Sequence, residues 1–249
     1  MSLRDALLVM AGGLVAGAVN TVAGGGSLLT FPLLVALGLR PFDANVTNTV
    51  GITPAAVGGV LGMQRELRGQ RHRLLALLPI TVVGAAAGAT LLLVVPAQAF
   101  NRVVPLLLVV ACVILLFQDR LAALFQGARG GRPWVLRGGM LLTAVYGGYF
   151  GAAVSIVVLA LLAVTVDDTL HRLNAVKVPL AGCMNLVSGM AFAFFGPVHW
   201  AFAAVLAPST LVGGRAGAVA ARRIPARPLR YSVITLGLVA AVWLQLALR

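Results

Sequence analysis

Three consecutive glycines and a serine, Gly24-Gly25-Gly26-Ser27, interrupt a run that is otherwise hydrocarbon. A helix broken inside an apolar span leaves N–H and C=O groups without partners, and such breaks survive only where protein or a wet cavity satisfies them. A new helix starting at Ser27 aims its free N–H groups and positive dipole end back at the glycines, where an anion can sit. The Ser27 hydroxyl adds a donor. A second polar group follows at Asn45, Thr47, Asn48 and Thr49, at the start of the next apolar run. Asn45 and Asn48, three residues apart, share a helix face. Asn174 and Lys177 repeat that spacing, and Lys177 is the only lysine in the chain. An ammonium inside an apolar segment marks an ion path, unless it snorkels to the interface. The substrate-binding candidates are therefore Gly24, Gly25, Gly26, Ser27, Asn45, Asn48, Ser155, Asn174 and Lys177, all suited to gripping a small anion. Asn45 and Asn174, at span starts, equally suit helix caps. Asn20, Thr21, Thr47, Tyr149 and Arg215 are further pocket-lining candidates, with Tyr146 beside them; snorkelling suits Arg215 as well.

The elements that must hold these residues are membrane helices. Of 249 residues, 60% are hydrophobic and 10% charged, with mean hydropathy +1.01; soluble domains carry about a quarter charged residues. The net charge of +13 comes from arginines set between apolar runs. That pattern fits loops facing anionic lipid rather than nucleic acid, since no aromatic-rich basic patch accompanies it. Apolar segments fall at about 6–22, 27–39, 44–63, 74–95, 102–118, 138–152, 153–166, 173–195, 199–221 and 229–248. The first two and the sixth and seventh are expected to be short pieces, each pair a broken, re-entrant hairpin.

The second half repeats the first. Pro79, Thr81, Gly84, Gly88 and Ala89 align with Pro208, Thr210, Gly213, Gly217 and Ala218 at one shift (208 − 79 = 129). That shift carries Asn45 to Asn174 and Asn48 to Lys177, and a shift of 128 carries Ser27 to Ser155. Loop charge alternates between the copies. Arg65, Arg68, Arg71 and Arg73 follow the third segment, while the counterpart Gly196 to His199 has neither Lys nor Arg. The next loop reverses this, with Arg222, Arg223, Arg227 and Arg230 in the second copy only. Basic loops lie in the cytoplasm, so equivalent loops face opposite sides, as in inverted repeats. The expected fold is an all-α integral membrane protein of two inverted-topology repeats, each a broken hairpin plus three transmembrane helices. Residues 1–118 form the first repeat, 119–137 a basic cytoplasmic connector with Arg120, Arg129, Arg132 and Arg137, and 138–249 the second. Both termini fall outside.

The Gly17…Gly24-Gly25-Gly26-Ser27…Pro32 run, the Asn45-x-Thr47-Asn48 cluster and the looser second copy resemble the TauE/SafE family of sulfite exporters. The resemblance covers nearly the whole chain. It implies a multi-pass protein of the bacterial inner membrane that moves sulfite, an organosulfonate such as sulfoacetate, or a related small anion. The second copy departs from the pattern, keeping only Gly151 where the first has three glycines.

Other chemistries find little support. Asp5, Asp43, Glu66, Asp119, Asp167 and Asp168 all lie at segment ends or in loops, so no intramembrane proton relay is visible. His72, His171 and His199 are expected in solvated loops. An intramembrane enzyme needs a nucleophile and base together, and neither Ser27 nor Ser155 has one in plausible reach. Cys112 and Cys183 lack metal-ligand spacing, so no metal or cofactor is expected. An uptake permease or channel for another anion stays open, as does oligomeric state.

Overall fold

The computed structural model describes residues 1–125, 133–220 and 226–247. Among these, ten helices follow one another and no strand occurs: α1 (Leu3–Val22), α2 (Ser27–Ala36), α3 (Pro41–Gly62), α4 (Arg71–Val94), α5 (Ala97–Phe125), α6 (Pro133–Tyr149), α7 (Val154–Thr165), α8 (Leu170–Phe195), α9 (Trp200–Ala220) and α10 (Ala226–Ala247). Among the described residues, five stretches are long and apolar enough to cross a membrane: Leu3–Val22, Arg71–Val94, Ala97–Phe117, Arg172–Phe195 and Trp200–Val219. The protein is an all-helical integral membrane protein. Helix α3 matches these in length at 22 residues but carries the polar Asn45–Thr49 run.

Local sequence sets the helix starts. A Ser2/Asp5 capping box opens α1, Pro41 stands in the first turn of α3, and the Thr169 hydroxyl accepts the Arg172 N–H at α8. These starts correct three expectations. Helix α1 is not a short hairpin arm, because the capping box carries it over the polar Arg4-Asp5 turn to 20 residues. The hairpin arms are thus unequal, 20 against 10 residues in the first and 17 against 12 in the second. Asn45 and Asn174 are not caps, since α3 and α8 begin earlier and enclose them. The connector at 119–137 is largely helix, because Leu121 to Leu124 are good helix formers that extend α5 to Phe125. Between it and α6, Arg129 and Arg132 lie outside the described residues, as do Arg222 and Arg223.

The aligned Gly/Ala stretches are packing faces. A Cβ on Gly88 would lie 2.0 Å from the Val145 carbonyl oxygen, and one on Gly213 would lie 2.1 Å from that of Leu14. Backbones therefore touch where α4 meets α6 and where α9 meets α1, as small residues allow in membranes. The pairing is reciprocal: α4 packs on α6 and α8, and α9 packs on α1 and α3. One apolar core joins α2, α3, α5, the second break and α10 through Phe31, Phe42, Phe100, Phe150 and Ile234. Another joins α4, α6, α7 and α8 through Leu77, Met140, Val158 and Met184.

Polar ties bind the two halves at opposite ends of α3. Near its start, Asp43 is buried rather than merely interfacial, bonded by Arg40 Nε at 2.9 Å and faced by His199 Nε2 at 3.6 Å. The His199 N–H also donates to Thr47 Oγ1 at 3.0 Å. His199 is thus a partner of α3 and not a free loop residue, while His72 and His171 fall in the first turns of α4 and α8. Beyond the far end of α3, Asp168 pairs with Arg73 and with Arg172 (3.1 Å) and accepts from Gln70 Nε2 (3.1 Å). Burial alone would raise the Asp168 carboxyl. The hydrogen bonds from Arg73 and Gln70, then the Thr169 N–H and the Arg172 charge, outweigh it and hold the group well below the usual carboxylate range.

Candidate anion site at the paired helix breaks

The first break runs from Ala23 to Gly26. The N–H groups of Ala23 and Gly24 turn back to the Val19 carbonyl at 2.9 and 3.0 Å, and the chain reverses through Gly24 and Gly25 at φ +78° and +88°. Only glycine takes this left-handed geometry without strain. Helix α2 then starts with Leu28 donating to the Gly25 carbonyl. The N–H groups of Gly25, Gly26 and Ser27, and the Ser27 hydroxyl, have no hydrogen-bond partner among the described residues. All four residues from Gly24 to Ser27 are buried. Unpaired donors at the positive end of a buried helix are the kind of feature at which anions bind in proteins.

The second break is built alike, with one glycine where the first has three. Gly151 (φ +73°) and Ala153 (φ +58°) are left-handed, and α7 begins beyond them. The Tyr146 hydroxyl donates to the Ala152 carbonyl at 2.7 Å and Asn45 Nδ2 to the Tyr149 carbonyl at 3.2 Å. So Asn45, drawn from the opposite half, serves the backbone of the second break. The two breaks touch: a Cβ on Gly24 would lie 3.1 Å from Ser155 Cβ and 2.9 Å from Ile156 Cγ1. Ser155 is buried, and its hydroxyl makes no hydrogen bond to a described residue.

Asn48 is tied to the first hairpin through α2, and Lys177 lies buried in α8. Asn48 is buried and accepts a hydrogen bond from Thr30 of α2; its amide N–H₂ is left to donate. Lys177 is 1% exposed, and its Nζ has no hydrogen-bond partner. It shares a helix face with Leu173, Leu180, Ala181 and Met184, all in the core shared with α7. Burial at this depth rules out snorkelling to the interface.

The sequence profile of the Sulfite exporter TauE/SafE family matches residues 9–244. The chain belongs to the TauE/SafE family. Among curated relatives, it is similar to the "Probable membrane transporter protein YfcA" of Escherichia coli K12, 28% identical over 210 residues, covering 82% of this chain and 76% of the relative. A "Probable membrane transporter protein" of Haemophilus influenzae is 28% identical over 215 residues, with 83% and 81% covered. A "Probable membrane transporter protein ORF9" of Sinorhizobium sp is 23% identical over 205 residues, with 82% and 78% covered. No solved structure matches. The protein is a multi-pass bacterial membrane transporter of the TauE/SafE family.

Other candidates take varied positions in this TauE/SafE chain. Asn20 lies against the first break, its Cβ 2.8 Å from where a Cβ on Gly26 would stand. Thr21 donates back to the Gly17 carbonyl and Thr47 accepts from His199, so both hydroxyls are engaged in structure. The Tyr149 ring packs on Phe100 at 5.9 Å, leaving its carbonyl to face Asn45. Asn174 is half-buried near the end of α3, its Nδ2 3.8 Å from Met63 Sδ. Arg215 is exposed in an outward groove of about 810 Å³ with Leu61, Val212 and Val219, on the rim rather than at the breaks. Sequence reasoning passed over Thr30 and Asn185. Asn185 Oδ1 lies 3.7 Å from where a Cβ on Gly151 would stand; an amide deep in an apolar span was the signal that could have found it.

Proposed function

We propose that this TauE/SafE transporter exports a small sulfur oxyanion, sulfite or an organosulfonate such as sulfoacetate, by alternating access at a midplane site between the two helix breaks. Two observations carry this: the contact of Gly24 with Ser155, and a buried, unpartnered Lys177 amine in α8 of the same bundle. A buried ammonium without a partner costs on the order of several kcal/mol, and an anion at the break would repay it. The unpaired N–H groups of Gly25, Gly26 and Ser27 face the same need. The TauE/SafE name supports the sulfur chemistry, and the unpaired donors with the buried amine support an anion.

Inverted repeats explain the asymmetry between Asn48 and Lys177. The shift that carries Asn48 to Lys177 has its hairpin counterpart, 128, carrying Thr30 to Val158 (158 − 30 = 128). Asn48 is paired by the Thr30 hydroxyl in the first copy. Val158 offers Lys177 no such group, so the second copy keeps a cation free for substrate. The reciprocal packing of α4 and α9 supports two copies of opposite sense. So do the ties at both ends of α3, where Gln70 and His199 occupy equivalent positions (199 − 70 = 129) and each meets an acid of the other half.

Proteoliposome flux of sulfite tests this reading. Lys177→Ala and Gly25→Leu are expected to abolish flux while the folded protein persists; unchanged flux in both variants would overturn the site. Imposed gradients of either sign separate an exporter from an uptake permease or channel.

A further inference from the structure

The second break has one glycine where the first has three in a row. Side chains at Ala152 and Ala153 stand where the first copy opens its backbone, so an anion cannot be cradled by bare amides there to the same degree. We propose that Asn185 supplies the missing donor: its side-chain amide binds an oxygen of the transported oxyanion at the second break and sets selectivity for oxyanions that can reach both breaks at once.

Four observations carry this. Asn185 is 8% exposed, and its side chain makes no hydrogen bond to any described residue. Its Oδ1 lies 3.7 Å from where a Cβ on the left-handed Gly151 would stand, and a half turn of the amide plane exchanges Oδ1 for the donor Nδ2 at that place. Its own backbone is pinned, because Thr53 Oγ1 donates to the Asn185 carbonyl at 3.1 Å, so the amide is held at a fixed depth in α8. The matching position in the first half is Ala56 (185 − 129 = 56), so the amide is not a packing feature inherited by both copies. An amide set in an apolar span with no protein partner, and reachable from the break, is placed to meet a polar ligand. At 1.5 Å per residue, Asn185 stands about 12 Å along α8 from Lys177. Lys177 therefore acts at range through charge, and Asn185 acts by contact and orientation.

The inference rests on the anion site proposed above, and one experiment separates the two. Thermal stabilisation of the purified full chain is measured against sulfite, sulfoacetate, sulfate and chloride for the wild type, Lys177→Ala, Asn185→Ala and Asn185→Asp. The expected result is that Asn185→Ala melts no lower than the wild type without ligand, because it removes an unpartnered amide. It should also bind the best oxyanion at least ten-fold more weakly, and the near-isosteric Asn185→Asp should not bind it. Asn185→Ala binding within two-fold of the wild type, with Lys177→Ala binding lost, would overturn the role of Asn185 and leave the anion site standing. A ligand-free Asn185→Ala that melts well below the wild type assigns the amide to structure and overturns the role as well. No stabilisation of the wild type by any of these anions would overturn both readings.

Discussion

A Cβ on Gly24 would stand 3.1 Å from the Cβ of Ser155, so the helix breaks of the two halves meet with only a missing methyl between them. This contact brings the unpaired amides of the first break beside the second. It also makes position 24 doubly restricted, by its φ of +78° and by the Ile156 and Ser155 side chains.

Gly24→Ala is accordingly expected to cost about 1–2 kcal/mol for the left-handed backbone alone, with further loss from crowding, and to cut sulfite flux at least ten-fold. Gly38→Ala is the control. Gly38 is also left-handed, at φ +97°, but has open space around it. It should lose stability while keeping flux per folded molecule, measured by melting and by liposome assay.

Val158→Thr gives the second copy the hydroxyl that Thr30 gives the first. The expected outcome is a more stable ligand-free protein that binds sulfite more weakly, because Lys177 gains an internal partner. Calorimetric titration beside a melting curve checks both halves of that statement.

Loss of the Asn45 amide frees the Tyr149 carbonyl at the second break. Asn45→Ala should destabilise by about 1–3 kcal/mol, the cost of a buried acceptor left unsatisfied. Increased hydrogen exchange should be confined to the residues around Gly151.

Asp168 ties α8 to α4. Its folded carboxyl titrates below its ordinary value of 3.8, so the tie stabilises the fold above that pH and is lost as pH falls through the folded value. The wild type should melt higher than Asp168→Asn near pH 6, and the gap should close in acid below about pH 3.8. A gap that widens in acid contradicts the assignment.

Single cysteines at Arg68 and Val198, in a background without Cys112 and Cys183, should react with impermeant reagent from opposite sides of the membrane. Labelling from the same side would end the inverted-repeat reading.

Much of the architecture is legible from the chain alone. Membrane residence follows from 60% hydrophobic and 10% charged residues, and the break at Gly24–Ser27 is announced by three successive glycines, each costing a helix about 1 kcal/mol. The residues on which the proposed anion site rests are equally visible, the lone lysine in hydrocarbon above all. These are local properties, fixed by residue type and by hydration cost, and need no knowledge of neighbours.

Tertiary structure decided which polar groups are already spoken for. Thr47, Thr21 and Asn45 look as available in sequence as Asn48 does, yet His199, Gly17 and Tyr149 engage them. Arg215 and Lys177 are both cations in apolar runs, but α9 turns the first outward and α8 buries the second. Whether a donor is free depends on partners over a hundred residues away, as Asn45 and Tyr149 are, and periodicity along one helix carries no record of them. The chain specifies its polar groups; only packing assigns each a partner or leaves it for the substrate.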